Sequence, residues 1–228
     1  MVKPISLSPS SIALFLDCPK CFWLDKIKGV KRPSGIFPSL PSGMDRILKE
    51  HFDRHRENST MPQELDGNKF GVSLFPDKEK LKEWRDNRKG LRYADSKSGV
   101  ILMGAIDNLL ITHERKYAPL DYKTRGYPLK DDTHEHYQHQ MDIYSFLLEK
   151  NGMPSAGFAI LLFYHPLRIT SSCNVEFHAE PVQVRTSTET GEKLFIEAVK
   201  CLLGQEPEAN RKCEWCASRI RSPHADGL

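Results

Sequence analysis

The chain has 228 residues, of which 39% are hydrophobic and 28% charged, with a formal net charge of +3. This composition suits one globular unit able to bury roughly 70% of its unfolded surface. It excludes a low-complexity chain, and no apolar run approaches the ~20 residues that a bilayer span needs.

In chain order, Ser8 or Ser10 caps a first helix that carries Ile12, Leu14, Phe15 and Leu16, and Pro19 interrupts it. Phe22, Trp23 and Ile27 continue at helical spacing as far as Gly29. Residues 30–42 hold three prolines and a glycine and are expected to be a loop. A helix is predicted over 43–56, with Met44, Ile47, Leu48 and Phe52 on one face. Residues 57–76 are polar and rich in turn formers, and a charged helix is expected over 78–87. Three consecutive strands follow, at 91–95, 100–112 and 117–124, with turns between them. After a loop at 125–132 comes a helix over 133–150, then a buried strand at 157–165 and one or two strands within 172–185. A last amphipathic helix spans 189–203 and a cysteine-bearing tail ends the chain. The order implies an α/β (α+β) fold in which helices flank a mixed β-sheet. The whole of 1–228 reads as one domain, with an N-terminal helical segment to about residue 60 and a cysteine tail from about 205.

Chemistry concentrates in the middle. Asp107 sits in an apolar strand, and Asp121 follows fourteen residues later on the next strand. Antiparallel neighbours joined by a short turn bring such positions within side-chain reach. Two carboxylates there repel unless a cation lies between them, and Mg2+ or Mn2+ prefers such oxygen ligands. Lys123 is two residues beyond Asp121 and shares its face. A lysine beside a metal-bound water can orient that water or stabilise charge on a phosphorane. The D-x-K tripeptide alone is common by chance, and its ordinary reading is a structural ion pair. Its neighbours change the weight. Gly104 precedes Asp107 by three, and Gln140 and Tyr144 lie four apart on one helix face.

The ordered set Gly104, Asp107, Asp121, Lys123, Gln140 and Tyr144 resembles the PD-(D/E)XK nuclease superfamily, in particular its RecB-like branch and CRISPR-associated exonucleases. The resemblance implies a restriction-endonuclease-like fold and hydrolysis of DNA phosphodiester bonds with Mg2+ or Mn2+. It implies Asp107, Asp121 and the Tyr122 carbonyl as metal ligands and Lys123 as the group acting on the attacking water. Gln140 and Tyr144 would position Lys123 or a phosphate. It also implies a further ligand from an upstream helix: His51 is the choice, with Asp45 and Glu50 as rivals. Gly43 precedes His51 by eight residues, where the family usually has four. The histidines His134, His136 and His139 are too far apart around a helix to share one ion and are read as a solvated face beside the site.

Cys18 and Cys21 form one C-x-x-C pair, and Cys213 and Cys216 another. Four thiolates suit either tetrahedral Zn2+ or an iron–sulfur cluster. Relatives in the resembled branch join the chain ends with a [4Fe-4S] cluster, usually on one N-terminal and three C-terminal cysteines, whereas this chain has two and two. A cluster is the expected occupant and zinc the alternative. Cys173 and Cys201 read as buried small hydrophobes.

The expected function is therefore a DNA nuclease acting on single-stranded or end-bearing DNA in repair, recombination or defence. No G-x-x-x-x-G-K-[ST] motif is present, so unwinding would need a partner such as a helicase. The alternatives are a non-catalytic nucleic-acid-binding protein on the same fold and a zinc-stabilised nucleic-acid module. No signal peptide is read at the N-terminus, so the expected location is the cytoplasm, with no membrane partner.

Overall fold

A computed structural model describes residues 4–65 and 67–221. The short strand β1 (Ser6–Leu7) leads into α1 (Pro9–Asp17), where the Ser8 hydroxyl accepts from Ser11 N at 3.2 Å and Pro9 begins the helix. Cys18 breaks the helix in an extended conformation, α2 (Pro19–Trp23) restarts it, and a π-helical turn (Leu24–Lys28) ends at Gly29 with φ +70°. Helix α3 (Ser39–Glu57) begins four residues earlier than expected. Pro41 lies in its first turn, where a missing N–H breaks no helical bond.

The segment 57–76 holds a 3-10 turn (Gln63–Leu65), α4 (Gly67–Phe70) and an edge strand β2 (Val72–Leu74). Three residues are too few for alternation to stand out in the sequence. Asp77 caps α5 (Lys78–Arg85), accepting from Lys80 N at 2.9 Å. The remaining elements are β3 (Leu91–Ala94), β4 (Ile101–Gly104), β5 (Asn108–Thr112), β6 (Tyr117–Thr124), a 3-10 turn (Thr133–Tyr137), α6 (Gln138–Lys150), β7 (Phe158–Ile169), β8 (Val175–Arg185), α7 (Thr188–Leu203) and α8 (Glu214–Arg221).

The strand expected over 100–112 is two strands in two sheets. One sheet has the order β1-β4-β3, and the other β2-β5-β6-β7-β8. The break falls at residues 105–107 because α5 intercepts the backbone there. Ile106 N donates to Trp84 O at 3.2 Å, and Arg85 Nε donates to Asp107 O at 2.7 Å. Asp107 thus sits in a bend, not within an apolar strand. Both sheets are mixed, with parallel pairs at β1 with β4 and at β6 with β7. This agrees with the restriction-endonuclease-like α+β fold.

The central strands are covered on both faces, as parallel pairs usually are. Ala118, Leu120 and Tyr122 of β6 join Ile160 and Leu162 of β7 against Leu48 and Phe52 of α3. On the other face, Leu161 and Phe163 pack under α6, α7 and α1. Strand alternation therefore turns Asp121 and Lys123 toward α6. Helices α6 and α7 approach closely at Gly191, where an added Cβ would meet Asp142 O at 2.4 Å. Cys173 is exposed in the turn between β7 and β8, with φ +60°, contrary to its expected burial. The turn there shortens the strand expected from residue 172. Among the described residues, no helix is long and apolar enough to cross a membrane.

Candidate active site

The β5 to β6 register pairs Asn108 with Leu120, so the bend before β5 places Asp107 beside Asp121 and Tyr122. Asp107 Oδ2 accepts from Tyr122 N at 3.2 Å, and its Oδ1 lies 2.9 Å from Lys49 Nζ of α3. The same ammonium is 2.8 Å from Asp45 Oδ2, one helical turn earlier. Lys49 thus bridges two carboxylates from different elements.

Asp121 is only 2% exposed. Its Oδ1 accepts from Gln140 Nε2 at 3.0 Å. Its Oδ2 pairs with Lys123 Nζ at 2.5 Å. Burial, reinforced by the charge of Asp107 and opposed by Lys123, pushes the Asp121 carboxyl up to about 7. Burial and then the Asp107 charge also raise Asp45. For Lys49, burial pulls downward, but Asp107 and Asp45 outweigh it and the net direction is up.

Gln140 organises this centre through one consistent amide orientation. Its Oε1 accepts from Lys123 Nζ at 3.1 Å, and its Nε2 donates to Asp121 and to Tyr144 OH at 2.9 Å. Tyr144 OH donates in turn to Ala105 O at 2.7 Å, in the bend that carries Asp107. Gly104 makes this reach possible: a Cβ there would meet Tyr144 Cε1 at 2.9 Å and Leu147 Cδ1 at 2.8 Å. Lys123 Nζ also stands 4.4 Å from the centre of the Tyr137 ring.

The sequence reading did not anticipate the arginine network behind Asp107. Asp53 of α3 pairs with Arg85 at 2.7 Å and with Arg56. Arg56 also donates to Phe75 O and Asn108 Oδ1, and Asn108 Nδ2 donates to Tyr122 OH at 2.7 Å. The available signal was weak: Asn108 is the one polar residue in N-L-L-I, and Asp45, Lys49, Asp53 and Arg56 recur at helical spacing.

His51 is engaged by a carboxylate from another segment. Its Nε2 is 3.1 Å from Glu64 Oε1, and its ring packs at 4.8 Å from that of His55. Glu50 pairs with Arg46 on the exposed side of α3. His136, His139 and Tyr137 line a hollow of about 370 Å³ next to Gln140 and Tyr144. Lysine and arginine cluster in residues 20–32 and 78–92, and within these stretches Lys20 pairs with Glu206, Arg32 with Asp17, Lys78 with Glu57 and Arg85 with Asp53.

The oxygen-rich centre fits a hard divalent cation, because the buried Asp121 carboxylate lies close enough to Asp107 for the two charges to repel, and Asp107 reaches the Tyr122 backbone. The four cysteines form a second group. Cys18, Cys21, Cys213 and Cys216 are all buried, and their sulfurs lie within 4.8 Å of one another, close enough to hold a metal.

The family model of the PD-(D/E)XK nuclease superfamily matches residues 6–221. Among solved structures, one titled "Crystal structure of SSO0001" aligns with 98% of this chain and 88% of its own, at 15% identity and a TM-score of 0.46. No curated protein matches the sequence. The family match spans both the carboxylate centre and the cysteine group, so the chain belongs to the PD-(D/E)XK nuclease superfamily, whose chemistry is metal-dependent cleavage of nucleic acid.

Proposed function

We propose that the protein is a deoxyribonuclease that hydrolyses phosphodiester bonds with Mg2+ or Mn2+, acting on single-stranded or end-bearing DNA. The observation that carries this reading is the buried Asp121 carboxylate, held between Lys123 and Gln140 and flanked by the Asp107 carboxylate.

In this reading Asp107, Asp121 and the Tyr122 carbonyl would hold the ion. A bound ion would supply Lewis-acid polarisation of the phosphate and a more acidic water. Asp45 is the favoured upstream carboxylate over His51, because Lys49 links it directly to Asp107 while His51 is engaged by Glu64. Lys123 orients the attacking water and stabilises negative charge developing on the phosphoryl oxygens. Gln140 fixes the Lys123 ammonium, and Tyr144 fixes Gln140 against Ala105. Duplex unwinding would come from a partner such as a helicase, in repair, recombination or defence.

Labelled single-stranded DNA, duplex DNA with free ends, closed circular duplex and single-stranded RNA test the substrate class in Mg2+ and Mn2+. The expected result is fastest cleavage of single-stranded or end-bearing DNA, abolished by EDTA. Preferential cleavage of RNA, or of closed circles, would contradict the substrate assignment. Binding of DNA without cleavage would support a non-catalytic role on the same fold.

A further inference from the structure

The cysteine group has a geometry of its own. Cys18 caps α2 and Cys21 lies in its first turn, while Cys213 immediately precedes α8 and Cys216 follows within it. Each C-x-x-C pair therefore starts a helix, and the two starts face one another. The Sγ separations are 3.8 Å for Cys18 to Cys216, 3.6 Å for Cys21 to Cys213 and 3.5 Å for Cys21 to Cys216. None of the four is in a disulfide.

These distances discriminate between the two occupants that four thiolates allow. Around a single tetrahedral ion with metal–sulfur bonds of about 2.3 Å, adjacent sulfurs stand ~3.8 Å apart. In a four-iron cluster each thiolate holds a different iron, which spreads the sulfurs to separations on the order of 6 Å. All four sulfurs here lie within 4.8 Å, closer together than the corners of a cluster would hold them. Three of the six pairs, all between the two C-x-x-C motifs, match the edge of a single-ion tetrahedron, and the other three lie within 4.8 Å.

We propose that Cys18, Cys21, Cys213 and Cys216 form a closed, structural Zn2+ site in place of the [4Fe-4S] cluster that the sequence resemblance implies. Zn2+ is the divalent ion that four thiolates bind tetrahedrally with no redox role. All four positions are filled by buried protein sulfurs, so no position is open for water or substrate. The ion ties residues 18 and 216 together across most of the chain. Four thiolates leave a net charge of −2 on the zinc centre. Arg32 offsets it: Nη2 donates to Cys213 Sγ at 3.3 Å, and Nη1 pairs with Asp17 at 2.6 Å. Arg32 is thus a positioning residue for the site.

The test is metal content and spectroscopy on the full chain purified without oxygen, and it is independent of any nuclease assay. The expected result is a colourless protein with about one zinc per chain, and Co2+ exchange that gives the intense visible bands of a tetrahedral tetrathiolate. Arg32→Leu should weaken zinc against a competing chelator by about tenfold, and Arg32→Lys should recover part of that loss. Cys216→Ser should lose zinc, and Co2+ exchange on the unmodified chain keeps the test valid if that variant does not fold. About four iron and four sulfide per chain, with a broad visible absorption bleached by dithionite, would overturn the proposal. A red protein with a single iron, or a chain with no metal after expression in zinc-supplemented medium, would overturn it too.

Discussion

Gln140 Nε2 lies 3.0 Å from Asp121 Oδ1, while the Oε1 of the same amide takes a hydrogen bond from Lys123. One helix side chain therefore sets the spacing between a buried carboxylate and the lysine two residues beyond it. Replacing Gln140 by Ala should leave the fold intact, since Gln140 is only half-buried, but should free both partners. The expected loss in kcat is about 10- to 100-fold, the usual effect of removing a group that orients metal ligands. Steady-state cleavage in Mg2+, alongside an unchanged melting curve, checks it. Equal kcat in the variant would mean that the contact is not used in turnover.

Gly104 and Tyr144 are coupled by space. A Cβ at position 104 would press on the tyrosine ring and on Leu147. Gly104→Ala should destabilise the protein by about 1–3 kcal/mol, as overpacking does. It should also lower activity, because the Tyr144 hydroxyl would draw back from Ala105 and Gln140. Urea unfolding together with cleavage rates measures both. Tyr144→Phe keeps the ring and removes the hydroxyl, leaving Ala105 O short of a donor, at a cost of about 1–3 kcal/mol.

Asp121 supplies a pH dependence. Its carboxyl is raised to about 7 in the fold, from an ordinary value near 3.8 when unfolded. Between those values the unfolded chain ionises while the folded one keeps its proton. The contribution of Asp121 to the stability of the metal-free protein is then fully present below about pH 4 and is lost as pH rises through about 7. A divalent ion binds the ionised form, so Mg2+ or Mn2+ should raise Tm more at pH 8 than at pH 5. Asp121→Asn should flatten both trends. Thermal melts across pH, with metal and with EDTA, decide it, and an equal metal effect at both pH values would contradict the role given to Asp121.

The upstream ligand separates Asp45 from His51. Asp45→Asn should raise the Mg2+ concentration for half-maximal cleavage by about tenfold or more. His51→Gln should leave it close to the unmodified value, because that ring faces Glu64. The reverse pattern in a metal titration would return the role to His51.

Much of the centre was legible because strand alternation is local. Residues two apart on β6 must share a face, so Asp121 and Lys123 could be grouped from sequence, as could Gln140 with Tyr144 on α6. The fold class followed from the order of elements. What stayed hidden depends on contacts between distant segments. The break at residues 105–107 exists because Trp84 and Arg85 of α5 take the backbone groups there. The bridge from Asp45 through Lys49 to Asp107 joins α3 to a bend some sixty residues later, and no local pattern announces it. Cys173 looked apolar in sequence, but a tight turn leaves it exposed. The C-x-x-C spacing announced a metal group, while the proposed choice of one ion over a cluster rests on sulfur separations that arise only when the chain ends meet.

The most direct test of the central claim is DNA cleavage by the purified chain in Mg2+ and Mn2+, compared with Lys123→Ala and Asp121→Ala proteins that melt cooperatively. The prediction is metal-dependent phosphodiester hydrolysis that falls by at least about 100-fold in each variant. Cleavage at the same rate in all three proteins, or no cleavage by the unmodified chain, would contradict it.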